Sequence, residues 1–294
     1  MISEADFDYL RRMLHDRSGL SLGPDKRYLA DSRLSMLCRR RRIEHLGQLM
    51  LQLRQGRDAA LENAVVEAMT TNETLFFRDS TPFDLFRDVI MPGKLDANAA
   101  TRKLRIWCAA VSSGQEAYSL AMILDDMADR LAGWNVEILG TDISSDVVEK
   151  ARAGLYSQFE VQRGLPIRML LKHFRKDGER WRISDRLRAM VDIRQHNLLD
   201  PADHLGLFDV IFCRNVLIYF DIQTKTRVLS AIARRLAPDG VLLLGATETV
   251  IGLPTPLISD GQHRSLYRNG LRHSPPPAAN STAPLPAALA KKAI

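Results

Sequence analysis

Cysteine is scarce in this chain, and long apolar runs are missing. The 294 residues include only Cys38, Cys108 and Cys213, which are far apart and lack the CxxC or Cys/His spacing of metal ligands. This scarcity argues against a disulfide framework and a zinc site, and it suits a reducing cytoplasm. No apolar stretch reaches the roughly 18–20 residues that span a bilayer. The N-terminus, MISEADFDYLRRML, has no apolar signal region. We therefore expect a cytoplasmic protein without direct membrane insertion.

The charge of the chain is unevenly distributed. Lys and Arg number 41 against 35 Asp and Glu, which gives a net charge of +6. Residues 1–57 hold 12 basic side chains against 7 acidic ones. A basic excess suggests an acidic partner, whether protein, nucleic acid or membrane surface. A solvated basic face that keeps the protein soluble would explain the same numbers.

The first part of the chain has helical patterns only. Ser3 can cap the first helix and Gly19 can end it, and Pro24–Asp25 can open the second. Further helical stretches lie near residues 45–55 and 58–70. We therefore predict a small helical domain over residues 1–70. Residues 71–103 contain a helical FDLFRDVI, then Pro92–Gly93 and the polar run KLDANAATRK. They are predicted to be a linker, or the entry to a second domain, and to contribute to a ligand site.

From residue 104 onward, strand and helix patterns alternate. The predicted strands are LRIWCAA, VEILGTDI, AMVDIRQHNL, FDVIFCRNV and GVLLLGAT. Because these runs are almost continuously apolar, they indicate an α/β fold with a doubly wound, mostly parallel sheet over residues 104–270. Between residues 155 and 190 the alternation breaks, and a turn at Asp177–Gly178 predicts a small inserted β-hairpin. Residues 271–294, rich in Pro and Ala, are predicted to be disordered.

The first strand–turn–helix unit, IWCAAVSSGQEAYSLAM, has small residues where a ligand could approach the backbone. Ligands of doubly wound sheets lie at the carboxyl ends of the strands, where helix N-termini offer free N–H groups. The turn at residues 112–114 is not a GxGxxG motif, so by itself it is a weak indication of a nucleotide-like ligand. Glu116, in the first helical turn, either favours the helix dipole or points toward a ligand.

Asp142 ends the second predicted strand. An acid at this position binds ribose hydroxyls in nucleotide-binding sheets, although roughly 20 residues after the glycine turn is the usual spacing. Here the separation from Gly114 is 28 residues. Asp142 could instead cap the next helix, but Ser144 and Ser145 are available for that, so ribose binding is favoured.

Polar residues also follow the third and fourth predicted strands. In HNLL, Asn197 can hydrogen-bond an adenine edge and Leu198 can pack on the ring, although an ordinary turn would look the same. FDVIFCRNVLIYFD ends in Arg214–Asn215, with Tyr219 nearby. In methyl-transfer sheets this strand end commonly bears a polar residue that contacts the substrate. A buried Arg–Asn pair that satisfies a loop is the alternative.

Residues 70–79, TTNETLFFRD, place two adjacent phenylalanines among groups that form hydrogen bonds. An ordinary surface turn does not need Phe76 and Phe77, and an ordinary core helix does not need so many polar neighbours. A ligand with both polar and apolar surface would use both.

In this order the motifs resemble those of the chemotaxis receptor glutamate methyltransferases, the CheR family. The matching pieces are TTNETLFFRD, IWCAAVSSGQEAYSLAMIL, ILGTDIS, HNLL, FDVIFCRNVLIYFD and LAPDGVLLLGATET. The resemblance implies a class I methyltransferase sheet with an N-terminal helical domain and an inserted β-subdomain. It implies S-adenosylmethionine as methyl donor, no metal, and conversion of receptor glutamates to γ-methyl esters.

The resemblance also implies which residues form the site. The cofactor-binding set is Asn72, Thr74, Arg78, Glu116, Asp142, Asn197, Leu198, Arg214 and Asn215. Arg78 would face the cofactor carboxylate, and the two phenylalanines would shape an apolar wall. Asn215 and Tyr219 would orient the substrate carboxylate.

Two departures from the family pattern change the expectations. Many members have Gly-Glu-Glu-Pro-Tyr where this chain has GQEAY at 114–118, so Glu116 is assigned to the site and Gln115 is not. The hairpin loop RKDGE looks shorter than in members that bind a C-terminal receptor pentapeptide, so no pentapeptide tether is expected.

A basic stripe on the second predicted helix suggests a docking face. Lys26, Arg33 and Arg40 recur every seven residues and share one side of a helix. The apolar residues of the same segment are expected to face the domain core: Ala30, Leu34 and Leu37. Receptor methylation regions are acidic helical bundles, which this stripe would attract.

Two other functions remain as alternatives. One is a methyltransferase that acts on RNA or a small molecule, and the other is a non-catalytic ligand-sensing module. No Asn/Asp-Pro-Pro-aromatic run follows the fourth strand, which counts against base methylation, so no nucleic-acid partner is expected. The presence of Asp142, Asn215 and Tyr219 counts against a non-catalytic module.

Overall fold

The N-terminal part of the chain is helical. The computed structural model describes residues 2–270, so the disorder predicted for residues 271–294 lies outside the described residues. The helices are α1 (Glu4–Ser18), α2 (Arg27–Arg41), α3 (Leu46–Gln55) and α4 (Ala59–Met69). The Ser3 side chain accepts the N–H of Asp6, and Gly19 follows α1 with φ of +75°. Both predicted ends of the first helix are therefore confirmed.

Helix α2 packs its apolar side inward, but two residues of its basic stripe have partners: Lys26 pairs with Asp25 at 2.9 Å, and Arg33 contacts the end of α4. The predicted core residues of α2 are buried: Ala30, Leu34 and Leu37. Arg33 donates through Nη1 to the carbonyl oxygens of Met69 at 2.6 Å and Thr70 at 2.9 Å. Carbonyl groups at a helix C-terminus have no intrahelical donor. Arg33 therefore stabilises the end of α4 as well as carrying surface charge.

Residues 81–97 are more continuously helical than the sequence suggested. Helix α5 (Thr81–Leu85) continues through a π-helical turn (Phe86–Ile90) into α6 (Met91–Ala97). Pro92 and Gly93 therefore lie inside a helix and do not interrupt it. Proline inside a helix removes one backbone hydrogen bond, and the π-turn directly before Pro92 is where the regular α-helical hydrogen-bond pattern changes.

The rest of the described chain contains ten strands, six α-helices and two short 3₁₀ helices, Asp203–Leu205 and Leu217–Tyr219. The strands are β1 (Lys103–Cys108), β2 (Asn135–Asp142), β3 (Leu155–Ser157), β4 (Phe174–Asp177), β5 (Arg180–Ile183), β6 (Val191–Gln195), β7 (Phe208–Cys213), β8 (Leu236–Leu244), β9 (Leu257–Ser259) and β10 (Leu266–Asn269). The helices are α7 (Gln115–Asp126), α8 (Ser145–Ala153), α9 (Gln158–Gln162), α10 (Ile167–His173), α11 (Asp185–Ala189) and α12 (Ile222–Arg235).

The main sheet is doubly wound and mostly parallel, as predicted. Its strand order is β6-β2-β1-β7-β8-β10-β9, and the first five strands in that order run parallel. Strand β10 pairs antiparallel with both β8 and β9, and neither β9 nor β10 was predicted. Successive residues of β1 face opposite sides of the sheet. Ile106 therefore joins the core packed against α7, and Trp107 joins the core packed against α12. The order reverses between β1 and β7, and a ligand crevice is expected at that switch point.

A second, three-stranded sheet contains the predicted hairpin. Strands β4 and β5 are antiparallel and are joined by the two residues Gly178 and Glu179, which confirms the hairpin. Strand β3 adds to the other side of β5, giving the order β3-β5-β4. Strand β4 is therefore an outer strand of this small sheet, with Arg175 and Lys176 exposed. The short turn was predicted, but the open edge of β4 was not.

Two features bear on the cellular expectations. Cys38, Cys108 and Cys213 are each buried and free. Within residues 2–270, no helix combines the length and the apolarity needed to cross a bilayer.

Candidate active site

One cavity opens at the carboxyl ends of the parallel strands, beneath the segment of residues 70–79. Every site residue predicted from the sequence lines it: Asn72, Thr74, Arg78, Glu116, Asp142, Asn197, Leu198, Arg214, Asn215 and Tyr219. These residues come from five separate stretches of chain. They meet because parallel strands end at the same edge of a sheet. The order of the strands reverses between β1 and β7, and this leaves a crevice at that edge.

Asp142 lies at the end of β2 and is only 8% exposed. Its Oδ2 accepts the N–H of Ser112 at 2.8 Å and its Oδ1 accepts the N–H of Ser144 at 3.0 Å. Burial raises the pKa of Asp142, and these backbone donors oppose the rise. Ser144, not Asp142, is the N-cap residue of α8. Each carboxylate oxygen can accept a second hydrogen bond, so Asp142 retains acceptor capacity for a ligand diol.

Glu116 and Arg214, which also line the cavity, form a buried ion pair. Arg214 Nη1 lies 2.8 Å from Glu116 Oε2, and the Arg214 side chain is 1% exposed. Nη2 of the same guanidinium donates to the backbone carbonyl of Arg78 at 2.6 Å and to Asp79 at 3.0 Å. Burial raises the pKa of Glu116, while Arg214 and a hydrogen bond from Cys108 act to lower it. The pair therefore joins β7, α7 and the segment of residues 70–79.

The segment of residues 70–79 closes over the strand ends. The Ser112 hydroxyl donates to the Asn72 carbonyl at 2.8 Å, which ties this segment to the β1–α7 turn. Three residues here have positive φ angles: Ser112 at +50°, Phe77 at +51° and Asp79 at +66°. Non-glycine residues adopt such angles only where their surroundings hold them. The Arg78 guanidinium lies at the cavity and donates to the Glu73 carbonyl at 3.0 Å.

The expectation that Phe76 and Phe77 line the ligand cavity is wrong. Phe76 is fully buried beneath the segment, with its ring 5.0 Å from that of Tyr156 and 5.6 Å from that of Phe174. Phe77 packs edge-on against Phe83 at 5.4 Å. Both rings gain more by joining the core than by facing a partly open cavity. Leu75, which precedes them, lines the cavity instead.

Asn197 connects the sheet to the first helix. Its Nδ2 donates to the carbonyl of Arg17 at 2.7 Å, and its Oδ1 accepts the N–H of Leu199 at 3.0 Å. The side chain therefore has one amide hydrogen and one oxygen lone pair left for a ligand. Leu198 lies at the cavity and packs against the core on the α12 side of the sheet.

Asn215 and Tyr219 lie on the loop between β7 and α12. Asn215 has φ of +58°, an angle that asparagine adopts more readily than most side chains. Tyr219 is half-buried, and its carbonyl accepts the N–H of Ser21 at 2.9 Å. Both residues line the cavity, so two hydrogen-bonding side chains face the same space from one loop.

Sequence reasoning missed several lining residues from the helical part. Ser18, Leu20, Thr70 and Thr71 reach the cavity from the ends of α1 and α4. Leu20 is also bridged to Phe220. No local pattern marks these residues, because their position depends on how the helices pack on the sheet. A basic helix end followed by glycine predicts only where α1 stops.

The cavity suits an adenosyl cofactor with an amino-acid portion. A carboxylate with spare acceptor capacity, Asp142, is available for a diol. Arg78 can bind a carboxylate, and Leu75, Leu198 and Val216 supply apolar surface. Glu116 and Asp142 are compatible with a cationic sulfonium centre. The sheet and this set of donors define a class I S-adenosylmethionine-dependent methyltransferase.

Comparison with known proteins identifies the family to which the chain belongs. Residues 5–70 match the family described as CheR methyltransferase, all-alpha domain, and residues 72–263 match CheR methyltransferase, SAM binding domain. Chemotaxis protein methyltransferase 1 of Pseudomonas aeruginosa is 42% identical over 256 residues, covering 86% of this chain and 93% of that protein. A chemotaxis protein methyltransferase of Vibrio parahaemolyticus is 41% identical over 86% of this chain and 92% of its own length. The chain belongs to the CheR methyltransferase family, as its motifs suggested, and its cofactor is S-adenosylmethionine.

Proposed function

We propose that this enzyme methylates glutamate carboxylates of chemoreceptors and produces γ-methyl esters. The observation that carries the proposal is the placement of Asn215 and Tyr219 on the wall of the cavity that also contains Glu116 and Asp142. The nearby relatives are named as chemotaxis protein methyltransferases, which supports a chemoreceptor as the substrate. When bound, S-adenosylmethionine supplies an electrophilic methyl group.

The chemistry of a carboxylate substrate matches the groups at the site. A glutamate side chain has a pKa near 4.3, so it is already a nucleophile at neutral pH. The enzyme needs no general base and has to orient the carboxylate and exclude water from it. Asn215 and Tyr219 can donate hydrogen bonds to one carboxylate oxygen while the other reacts. Arg78 is assigned to the cofactor carboxylate, since a cation on the nucleophile would weaken it.

Arg214 has a supporting part in this proposal. Its guanidinium is buried against Glu116, Asp79 and the Arg78 carbonyl. It therefore holds the residue 70–79 segment against the sheet, and Asn215, the next residue, is left to face the substrate.

The proposed partner is the acidic helical methylation region of a receptor, docked on the basic stripe. Lys26 and Arg40 lie at the two ends of α2, with Arg40 exposed. Arg33 between them binds the end of α4, so its contribution to docking is smaller than the sequence suggested. The proposal includes a cytoplasmic location and no nucleic-acid partner.

Methylation without a pentapeptide tether remains a prediction. The two-residue turn Gly178–Glu179 supports it, because little loop is available to enclose a peptide. The outer edge of β4 is the feature that a peptide strand could use if the prediction is wrong.

The proposed reaction is tested by incubating the enzyme with methyl-tritiated S-adenosylmethionine and membranes that carry candidate receptors. A carboxyl methyl ester releases volatile tritiated methanol on treatment with base, whereas methylated amines and nucleobases do not. Base-labile label on the receptor band supports the proposal. Label that resists base, or label found only on RNA or small molecules, would overturn it.

A further inference from the structure

Glu248 is a buried acid outside the set of predicted site residues. It lies in the loop after β8 and is 7% exposed. Its carboxylate accepts four backbone N–H groups: Gly245 at 2.8 Å and Asn215 at 2.7 Å on Oε2, and Val216 at 2.9 Å and Leu217 at 2.7 Å on Oε1. Each oxygen thus accepts two hydrogen bonds, the full capacity of an ionised carboxylate.

Three of these donors are successive residues of the loop that follows β7. Successive N–H groups that point the same way form a concavity that binds anions. Here the anion is the Glu248 side chain, which reaches these N–H groups from the loop after the neighbouring strand β8. A glutamine at this position would place an NH₂ group against two N–H donors, so only a carboxylate satisfies all four.

The contact fixes the residue that faces the substrate. Asn215 has φ of +58°, which the Glu248 hydrogen bond to its N–H helps to hold. Gly245 packs against the same unit: a Cβ added there would lie 2.6 Å from Glu248 Oε2 and 3.0 Å from Asn215 Nδ2. Glu248, Gly245 and Asn215 are therefore in mutual contact, and a shift in one displaces the others.

We infer that Glu248 is a positioning residue for methyl transfer: it holds the 215–217 backbone so that the Asn215 side chain meets the substrate carboxylate. The inference rests on the proposed function and adds to it a residue that touches neither cofactor nor substrate. Its effect is on the rate of methyl transfer rather than on cofactor affinity.

The direct test is Glu248→Gln in the full-length enzyme with receptor membranes. A displacement of about 1 Å at Asn215 should lower kcat by about 10²-fold. The dissociation constant of S-adenosylmethionine, measured by calorimetry, should change by a smaller factor than kcat. Glu137→Gln is the matched control, because Glu137 is exposed on the same sheet and paired with Arg105; it should leave kcat unchanged. Equal losses of turnover and cofactor affinity would overturn the inference.

A double-mutant cycle separates positioning from general stability. If Glu248 acts through Asn215, Glu248→Gln should have little further effect on kcat in an Asn215→Ala background, because contacting residues that act together are not additive. Independent effects that multiply in the double variant would contradict the inference. Should Glu248→Gln fail to fold, Gly245→Ala, which crowds the same contact, takes its place in the cycle.

Hydrogen exchange tests the clamp without any assay of activity. In the wild type, the amides of Gly245, Asn215, Val216 and Leu217 should be protected, and in Glu248→Gln they should lose protection while those of β1 and β2 keep it. Unchanged protection would overturn the inference even if the enzyme methylates receptors. If the wild type forms no carboxyl ester, the proposed function fails, and the exchange result still decides whether Glu248 holds this loop.

Discussion

The guanidinium of Arg214 lies 2.8 Å from the carboxylate of Glu116, and the two side chains are 1% and 12% exposed. The pair joins the carboxyl end of β7 to the first turn of α7. Because Arg214 also donates to Asp79 and to the Arg78 carbonyl, one buried cation links three stretches of the site. A buried charge that loses its partner is costly, so this link is sensitive to substitution.

Replacement of Arg214 by glutamine should lower the free energy of unfolding at pH 8 by about 3–5 kcal/mol, the usual loss when a buried pair is broken. Burial already raises the pKa of Glu116, and loss of Arg214 raises it further. A raised native pKa favours the protonated folded form, so the deficit should shrink as the pH falls toward 5.5. Urea unfolding of wild type and variant at both pH values measures this difference in the free energy of unfolding. Arg194→Gln, at an exposed pair with Asp192, is the control. A deficit independent of pH would contradict the argument.

Asp142→Asn should weaken binding of S-adenosylmethionine by about 1–3 kcal/mol, because the charged acceptor for the ribose hydroxyls is lost. Asparagine has nearly the same shape and retains one oxygen, which can still accept the N–H of Ser112 or Ser144, while its NH₂ group faces the other N–H. Calorimetry on the folded variant gives the affinity. Asp192→Asn, on the exposed face of the adjacent strand β6, should bind normally. Wild-type affinity in Asp142→Asn would remove Asp142 from the site.

His15 on α1 and Asp221 before α12 form a pH-dependent contact, with His15 Nε2 2.9 Å from Asp221 Oδ2. The Asp221 hydrogen bond raises the pKa of His15 above its usual 6.5. The stabilisation is therefore complete below pH 6.5 and is lost as the pH rises through the folded-state pKa. Both side chains are roughly 40% exposed, so the effect should stay below about 1 kcal/mol. His15→Gln should lower the melting temperature more at pH 5.5 than at pH 8.5. Equal shifts at the two pH values would show that the positive charge of His15 does not stabilise the fold.

The strand ends of the site could be predicted because their signals are local. Asp142, Arg214 and Asn215 each follow an apolar run, and a parallel sheet brings such positions to one edge. The path of Phe76 into the core could not be predicted, since it depends on Tyr156 and Phe174, which lie about 80 and 100 residues further along the chain.

Long-range contacts also explain the other differences. Strands β9 and β10 are short and include polar residues; β10 pairs with β8, and β9 pairs with β10. Glu248 lies in GATET, which the sequence matched to the family without assigning a role. Its four backbone donors become visible only when β7 and β8 are paired. Arg33 likewise has a partner, the end of α4, that helical periodicity does not reveal.

Removal of the last few residues of the receptor should leave its methylation rate unchanged, if this enzyme uses no tether. A tether raises the effective concentration of substrate and does not alter the chemistry. Rates should be compared on full-length and trimmed receptor far below saturation, where tethering has its largest effect. A large loss on trimming, together with binding of the isolated C-terminal peptide to residues 155–190, would show that the small three-stranded sheet binds a receptor peptide and that the short turn does not prevent tethering.

Charge reversal on the basic stripe should slow receptor methylation without weakening cofactor binding. Lys26→Glu with Arg40→Glu is the suitable pair, because neither side chain lines the cavity. Arg33→Glu is unsuitable: Arg33 bonds the Thr70 carbonyl and the Thr71 hydroxyl, and both residues line the cavity, so cofactor affinity should fall too. The wild-type rate should decrease with added salt, as screening weakens attraction between the stripe and an acidic helix. Arg130→Glu with Arg234→Glu, at two exposed residues outside α2, is the control with the same change in charge. Normal methylation by the double variant at low salt would mean that the stripe is only a solvated surface.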